Sequence, residues 1–110
     1  MKDDRLYLTH IFKCINNIED YTFRGKEEFF ESGLIQDAVI RNLEVIGEAT
    51  KNISMDTKSK HLGIPWKEMA GLRDILIHNY FGVDVKIVWN VVENELPKIK
   101  HYIYDLLNKG

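Results

Sequence analysis

The sequence predicts an all-α protein, a bundle of four or five helices folded as one domain over residues 1–110. Three observations predict it. Apolar residues return at three- and four-residue steps through most of the chain, which is the period of one helix face. Strand-like stretches are hard to find. The seven glycines and two prolines, Pro65 and Pro97, fall mostly where the apolar rhythm stops, as the connectors between helices do.

Each element follows in order. From Asp4 to about Tyr21, Leu8, Ile11, Phe12, Ile15 and Ile18 gather on one face, with Asp3 or Asp4 placed to cap the start. Thr22–Gly25 reads as a connector and Lys26–Glu31 as a short turn of helix, after which Ser32-Gly33 resets the chain. A long helix follows. At about 100° per residue, Ile35, Ala38, Val39, Ile46, Ala49 and Ile53 lie within about 60° of one line, and Asp37, Arg41, Glu44, Glu48 and Lys51 take the other side. Ser54–Gly63 has no periodicity and reads as a loop carrying Lys58, Lys60 and His61. Pro65 suits the first turn of the next helix, where its missing N–H is not needed, and Gly82 suits its end. Asp84 can cap a helix carrying Val85, Val88, Trp89 and Val92. Pro97 then either kinks that helix or starts another with Ile99, Ile103, Leu106 and Leu107.

Composition narrows the function classes. The 15 Lys+Arg against 17 Asp+Glu give a net charge of −2, which argues against a protein that coats nucleic acid or membrane, so an anionic partner has to be gripped locally. A single cysteine, Cys14, excludes an intramolecular disulfide and suits a reducing cytoplasm; its place near the apolar side of the first helix makes it a small core residue. No Cys/His cluster has zinc-site spacing around His10, His61 or His101, so neither a metal nor another cofactor is expected. No apolar run approaches the ~18 residues of a membrane span, and no signal-peptide pattern opens the chain. A soluble, cytoplasmic protein is the expectation. Because a chain of 110 residues hides only about two-thirds of its unfolded surface, a second copy packed against its thin core would add stability.

Chemistry concentrates in Ile64–Gly82, IPWKEMAGLRDILIHNYFG. On a helical wheel Arg73 falls among Trp66, Met69, Leu72, Leu76 and Tyr80. An arginine in an apolar arc wants a carboxylate, a phosphate or a partner protein. Asp74 and His78 are four residues apart on the other side, close enough for the carboxylate to fix the imidazole tautomer and make His78 a base. An ordinary surface pair has the same spacing. Arg73 and His78 point about 140° apart on an ideal helix, so one straight helix does not aim both at one substrate atom. Either the helix distorts near Asn79–Gly82, or two copies of it meet.

These residues resemble a known family. Arg73-Asp-Ile-Leu-Ile-His78-Asn-Tyr80 is similar to the Arg-x4-His-x-Tyr signature of HEPN ribonucleases. The run AVIRNLEVIGEATKNIS from Ala38 to Ser54, the IPW at Ile64–Trp66, the GLRDILIHNYFGVD run to Asp84 and the VW at Val88–Trp89 resemble the HepT branch. The resemblance implies a HEPN-type bundle working as a homodimer, in which two motifs line one cleft. It implies a toxin of a type II toxin–antitoxin pair, an endoribonuclease that needs no metal. On that scheme His78 moves protons around the ribose 2′-hydroxyl, Arg73 stabilises charge on the phosphate, Asp74 orients His78, and Tyr80 completes the motif. The partner implied is a nucleotidyltransferase antitoxin of the MntA type, able to transfer AMP to Tyr80.

Around the motif, Glu44 or Glu48 on the preceding long helix is expected to pair with Arg73 and hold it ready; the alternative is a solvated charged stripe with Arg41. Gly47 interrupts that stripe, a position of interest where another backbone crosses closely. Tyr102 and Tyr104 are expected to pack or to face solvent. A rival reading of the whole chain is a non-catalytic helical module that binds and regulates a nucleotidyltransferase.

Overall fold

The computed structural model describes the backbone of residues 2–77 and 84–109 and the side chains of residues 3–72 and 84–109. Its elements are α1 (Lys2–Tyr21), α2 (Lys26–Glu31), α3 (Gly33–Lys51), α4 (Met55–Lys60), α5 (Trp66–Ile77), α6 (Val85–Asn90), a π-helical turn (Val91–Glu95) and α7 (Leu96–Asn108). Among the described residues there is no strand, as the apolar period predicts.

The long helices pack in the order α7, α1, α3, α5, with α2 at the side of α3 and α6 in contact with α2. Leu8, Ile11, Ile15 and Ile18 on α1 are fully buried, as are Val39, Leu43 and Ile46 on α3 and Ile103 on α7. Burying one such side chain stabilises the fold by about 1.5–3 kcal/mol before chain entropy is set against it. Polar ties set the directions. Asn17 donates to Asn42 at 3.3 Å, while the start of α1 meets the residues after α3, so these two helices run antiparallel. Arg5 donates to the carbonyl of Leu107 at 2.9 Å and Lys100 pairs with Glu19 at 2.7 Å, which makes α7 antiparallel to α1.

Local chemistry explains most boundaries. Gly25, φ +99°, turns the chain between α1 and α2, a conformation in which a Cβ would be strained. The Ser32 hydroxyl accepts from the Ile35 N–H at 3.1 Å and caps α3, and Gln36 reaches back to the carbonyls of Phe29 and Phe30. Asp84 caps α6 through the Lys86 N–H at 2.9 Å, as expected.

Three expectations change. First, Asp3 and Asp4 lie inside the first turn of α1, where negative charge suits the helix dipole, and do not cap it. The Asp4 carboxylate instead crosses to Ser54, accepting from its N–H at 2.8 Å and its hydroxyl at 2.6 Å, and from the Thr57 hydroxyl at 2.5 Å. Second, Ser54–Gly63 is not a loop throughout. Ser54 caps α4 by accepting from the Thr57 N–H at 3.2 Å, and Lys60 pairs with Asp56 at 3.1 Å along that helix. Third, Pro65 sits just outside α5, where its carbonyl accepts the first helical bond from Met69. Gly82, expected to end that helix, lies outside the described residues.

At Pro97 both anticipated outcomes combine. The chain stays helical from α6 into α7, and the Leu96 N–H reaches back five residues to the Val91 carbonyl, forming the π turn. Proline has no N–H to give and its ring crowds the carbonyl four residues earlier, so one wider turn absorbs the misfit and α7 restarts with Pro97 in its first turn.

Candidate active site

The helix expected to carry the chemistry is held at its start by its aromatic residue. Trp66 is buried and its indole N–H donates to the His61 carbonyl at 3.0 Å, while Met69, one turn on, is fully buried and Leu72 is half-buried. α5 packs along α3. Arg73 and Asp74 occupy the turn of α5 that follows. Their side chains, and all of His78 and Tyr80, lie outside the described residues, as do the expected contacts of Asp74 with His78 and of Glu44 or Glu48 with Arg73. On the far side of that segment the Asp84 cap starts α6.

The facing helix is described in full. Glu44, half-buried, lies 3.8 Å from the exposed Arg41 guanidinium on α3 itself, a long contact three residues apart that contributes little to stability. Glu44, Glu48 and Arg41 form a charged stripe open to solvent, with Arg41 and Glu48 exposed. With Tyr7 and His10 of α1, and with Asn52, they line a cleft of about 390 Å³ between α1 and α3. The contribution of α1 was missed in the sequence. Its signal was the three-residue spacing of Tyr7 and His10, which places them side by side at the edge of the apolar stripe. Gly47, between the two glutamates, is buried.

Cys14 is buried, and burial pushes its thiol up from its ordinary value, outweighing the nearby Lys13 and Arg41 cations. That keeps it a thiol and a core residue. Tyr104 packs on Phe12 at 6.0 Å between ring centroids while staying half exposed.

The family profile described as "Ribonuclease HepT-like" matches residues 11–106. A protein of Thermococcus cleftensis named "Probable ribonuclease HepT" is 50% identical over 98 residues, covering 86% of each chain. A protein of Methanocaldococcus jannaschii whose name reads "Gamma-glutamylcyclotransferase and putative RNase" is 48% identical over 109 residues, and the present chain spans about half of its length, 49%. The "mRNA nuclease HepT" of Shewanella oneidensis is 28% identical over 117 residues, covering 84% of this chain and 87% of its own. No solved structure gives a significant match. A match that runs from the first helix to the last, over 96 of 110 positions counted from 11 to 106, means that the chain belongs to the HepT-like ribonuclease family.

Proposed function

We propose that this protein is a metal-independent endoribonuclease acting as the toxin of a toxin–antitoxin pair in the cytoplasm. The observation that carries the reading is the family match across residues 11–106, a span that includes Arg73-x4-His78-x-Tyr80. Relatives named as ribonucleases, one of them an mRNA nuclease, support it. The working unit is a homodimer in which two motifs share one cleft, which answers the 140° separation of Arg73 and His78 on a single helix.

The chemistry is a transesterification. An imidazole of His78 accepts the ribose 2′-hydroxyl proton while that oxygen attacks phosphorus. The bond from phosphorus to the 5′ oxygen breaks, and the departing oxygen takes its proton from the second imidazole of the dimer or from water. The products are a 2′,3′-cyclic phosphate and a 5′-hydroxyl, so RNA is cut and DNA is not. Imidazole titrates near neutrality and serves in both directions, and the Arg73 fork matches the phosphate oxygens as negative charge builds on them. Asp74 orients His78, and Glu44 or Glu48 holds Arg73. The antitoxin is a nucleotidyltransferase of the MntA type. It transfers AMP from ATP to the Tyr80 hydroxyl with release of pyrophosphate, placing an anion beside the arginine that the RNA phosphate needs.

The test is direct. Purified protein cuts RNA in the presence of a chelator, and His78→Ala or Arg73→Ala lowers the rate by about 10²-fold or more with the thermal melt unchanged. Undiminished cleavage by His78→Ala overturns the assignment. Stable binding of a nucleotidyltransferase without any cleavage supports the regulatory module instead, and mass spectrometry of Tyr80 after incubation with that enzyme and ATP reads the AMP transfer.

A further inference from the structure

Away from the α1–α3 cleft, a second groove of about 360 Å³ runs between α2 and α6, lined by Lys26, Phe30, Lys86, Trp89, Asn90 and Glu93. Its floor is aromatic. Trp89 is backed by Phe29, a residue only 1% exposed, at 5.2 Å between ring centroids, and Phe30 stands 6.3 Å from Trp89 and 5.4 Å from Phe29. Packing on Phe29 holds Trp89 in place, and the half-buried rings of Trp89 and Phe30 open on the groove. The indole N–H is already occupied by the Glu93 carboxylate at 3.3 Å, which leaves ring surface as what Trp89 offers a ligand.

The rim is basic where a phosphate chain would pass. Lys26 and Lys86 are both exposed, and among the described residues neither has a carboxylate in ion-pair range. Glu93 is the acidic group lining the groove, and it faces the indole N–H. The Asn90 carbonyl oxygen accepts from Asn94 at 2.7 Å, so its amide N–H donors remain for a ligand edge. Ring faces in one groove with two lysines that make no ion pair among the described residues form an arrangement suited to unpaired nucleotides: bases stack on the rings and phosphates meet the lysines. An apolar partner would leave two buried lysines without counter-charge. A chain of net charge −2 can grip RNA only at such local sites.

We propose that the α2–α6 groove is a substrate subsite that holds an unpaired nucleotide of RNA, its base stacked on Trp89 and Phe30 and its flanking phosphates on Lys26 and Lys86. The proposal rests on the ribonuclease reading for its substrate. It adds that single-stranded RNA is preferred to duplex, because paired bases cannot reach the rings. The groove follows the motif closely in the chain, α6 starting at Val85, five residues after Tyr80.

The experiment measures binding apart from cleavage. A labelled 2′-O-methyl oligonucleotide of about ten nucleotides lacks the attacking hydroxyl, so its anisotropy on titration with the full chain reports affinity alone. The exposed double variant Lys26→Glu/Lys86→Glu is expected to bind at least about tenfold more weakly, and to flatten the plot of log K against log salt by about 1.4, the effect of two phosphate contacts. The control Lys98→Glu/Lys109→Glu makes the same charge change at the start of α7 and just past its end, and should lose much less. Binding should quench tryptophan emission in the parent protein, and Trp89→Phe, which keeps a ring on Phe29, should remove most of that quench while binding stays within a few fold. Equal losses in the two double variants, a quench that survives Trp89→Phe, or no binding by the parent protein overturns the proposal. If the parent protein cuts RNA and Lys26→Glu/Lys86→Glu cuts it with unchanged KM, the subsite falls and the ribonuclease reading stands. If binding behaves as expected and no RNA is cut, the ribonuclease reading falls and the groove stands as a single-strand site.

Discussion

Asp4 shows how one side chain can tie two distant parts of a small fold. It is 4% exposed, and burial alone would raise its pKa; the hydrogen bonds from Ser54 and Thr57 to the charged form outweigh that and hold it below the ordinary 3.8. A carboxyl whose folded value is lowered contributes stability that is present above its unfolded value and is lost as pH falls through the folded one. Acid unfolding of the parent protein should therefore include a component below about pH 4, and Asp4→Asn should lose that component. At neutral pH Asp4→Asn should destabilise the fold by about 1–3 kcal/mol, read as a fall in the urea midpoint. An unchanged midpoint would show the three bonds to be replaceable by water. At Gly25 the φ of +99° predicts that Gly25→Ala is destabilising by about 1–2 kcal/mol, although its Cβ would meet no neighbour within 4 Å.

The helices divide by what stabilises them. α1 and α3 bury long apolar stripes, and α3 adds a serine cap, so Ser32→Ala should cost about 1 kcal/mol and leave the fold otherwise intact in a thermal melt. α4 is six residues long, with Thr57 as its one buried residue. Its stability comes from the Ser54 cap and from Asp4, 50 residues earlier in the chain. Ser54→Ala should thus cost more than Ser32→Ala, and a double-mutant cycle of Ser54→Ala with Asp4→Asn should show coupling of about 0.5 kcal/mol or more. Additive effects would mean the cap and the carboxylate act independently. α1 to α3 were legible because the apolar stripes and the breaks at Thr22–Gly25 and Ser32-Gly33 agree along the chain, although the Ser32 cap itself was seen only in the structure. α4 was not, because no periodic face marks a helix held by a group so far away. The wider turn before Pro97 was half legible: the proline announced a disturbance, while the packing of Leu96, Ile99, Ile103 and Leu106 kept the chain helical through it.

At the scale of the molecule, the four long helices form a row, α7, α1, α3, α5, with α2 beside α3 and α6 packed on α2. If the motif works from a shared cleft, light scattering should give twice the 12.9 kDa chain mass, and a monomer that still cuts RNA would exclude the shared cleft. The sequence by itself determined the helical class, the long helices, the Asp84 cap and the family, because each is written in local spacing or in a short motif. Tertiary structure alone decided that α1 brings Tyr7 and His10 beside Glu44 and Glu48, that Asp4 turns away from its own helix, and that Lys26, Phe30, Lys86 and Trp89 meet in one groove. The reason is physical. Spacing along a helix fixes which residues share a face, but which face meets which depends on the burial of all the apolar stripes together, and no single segment contains that information.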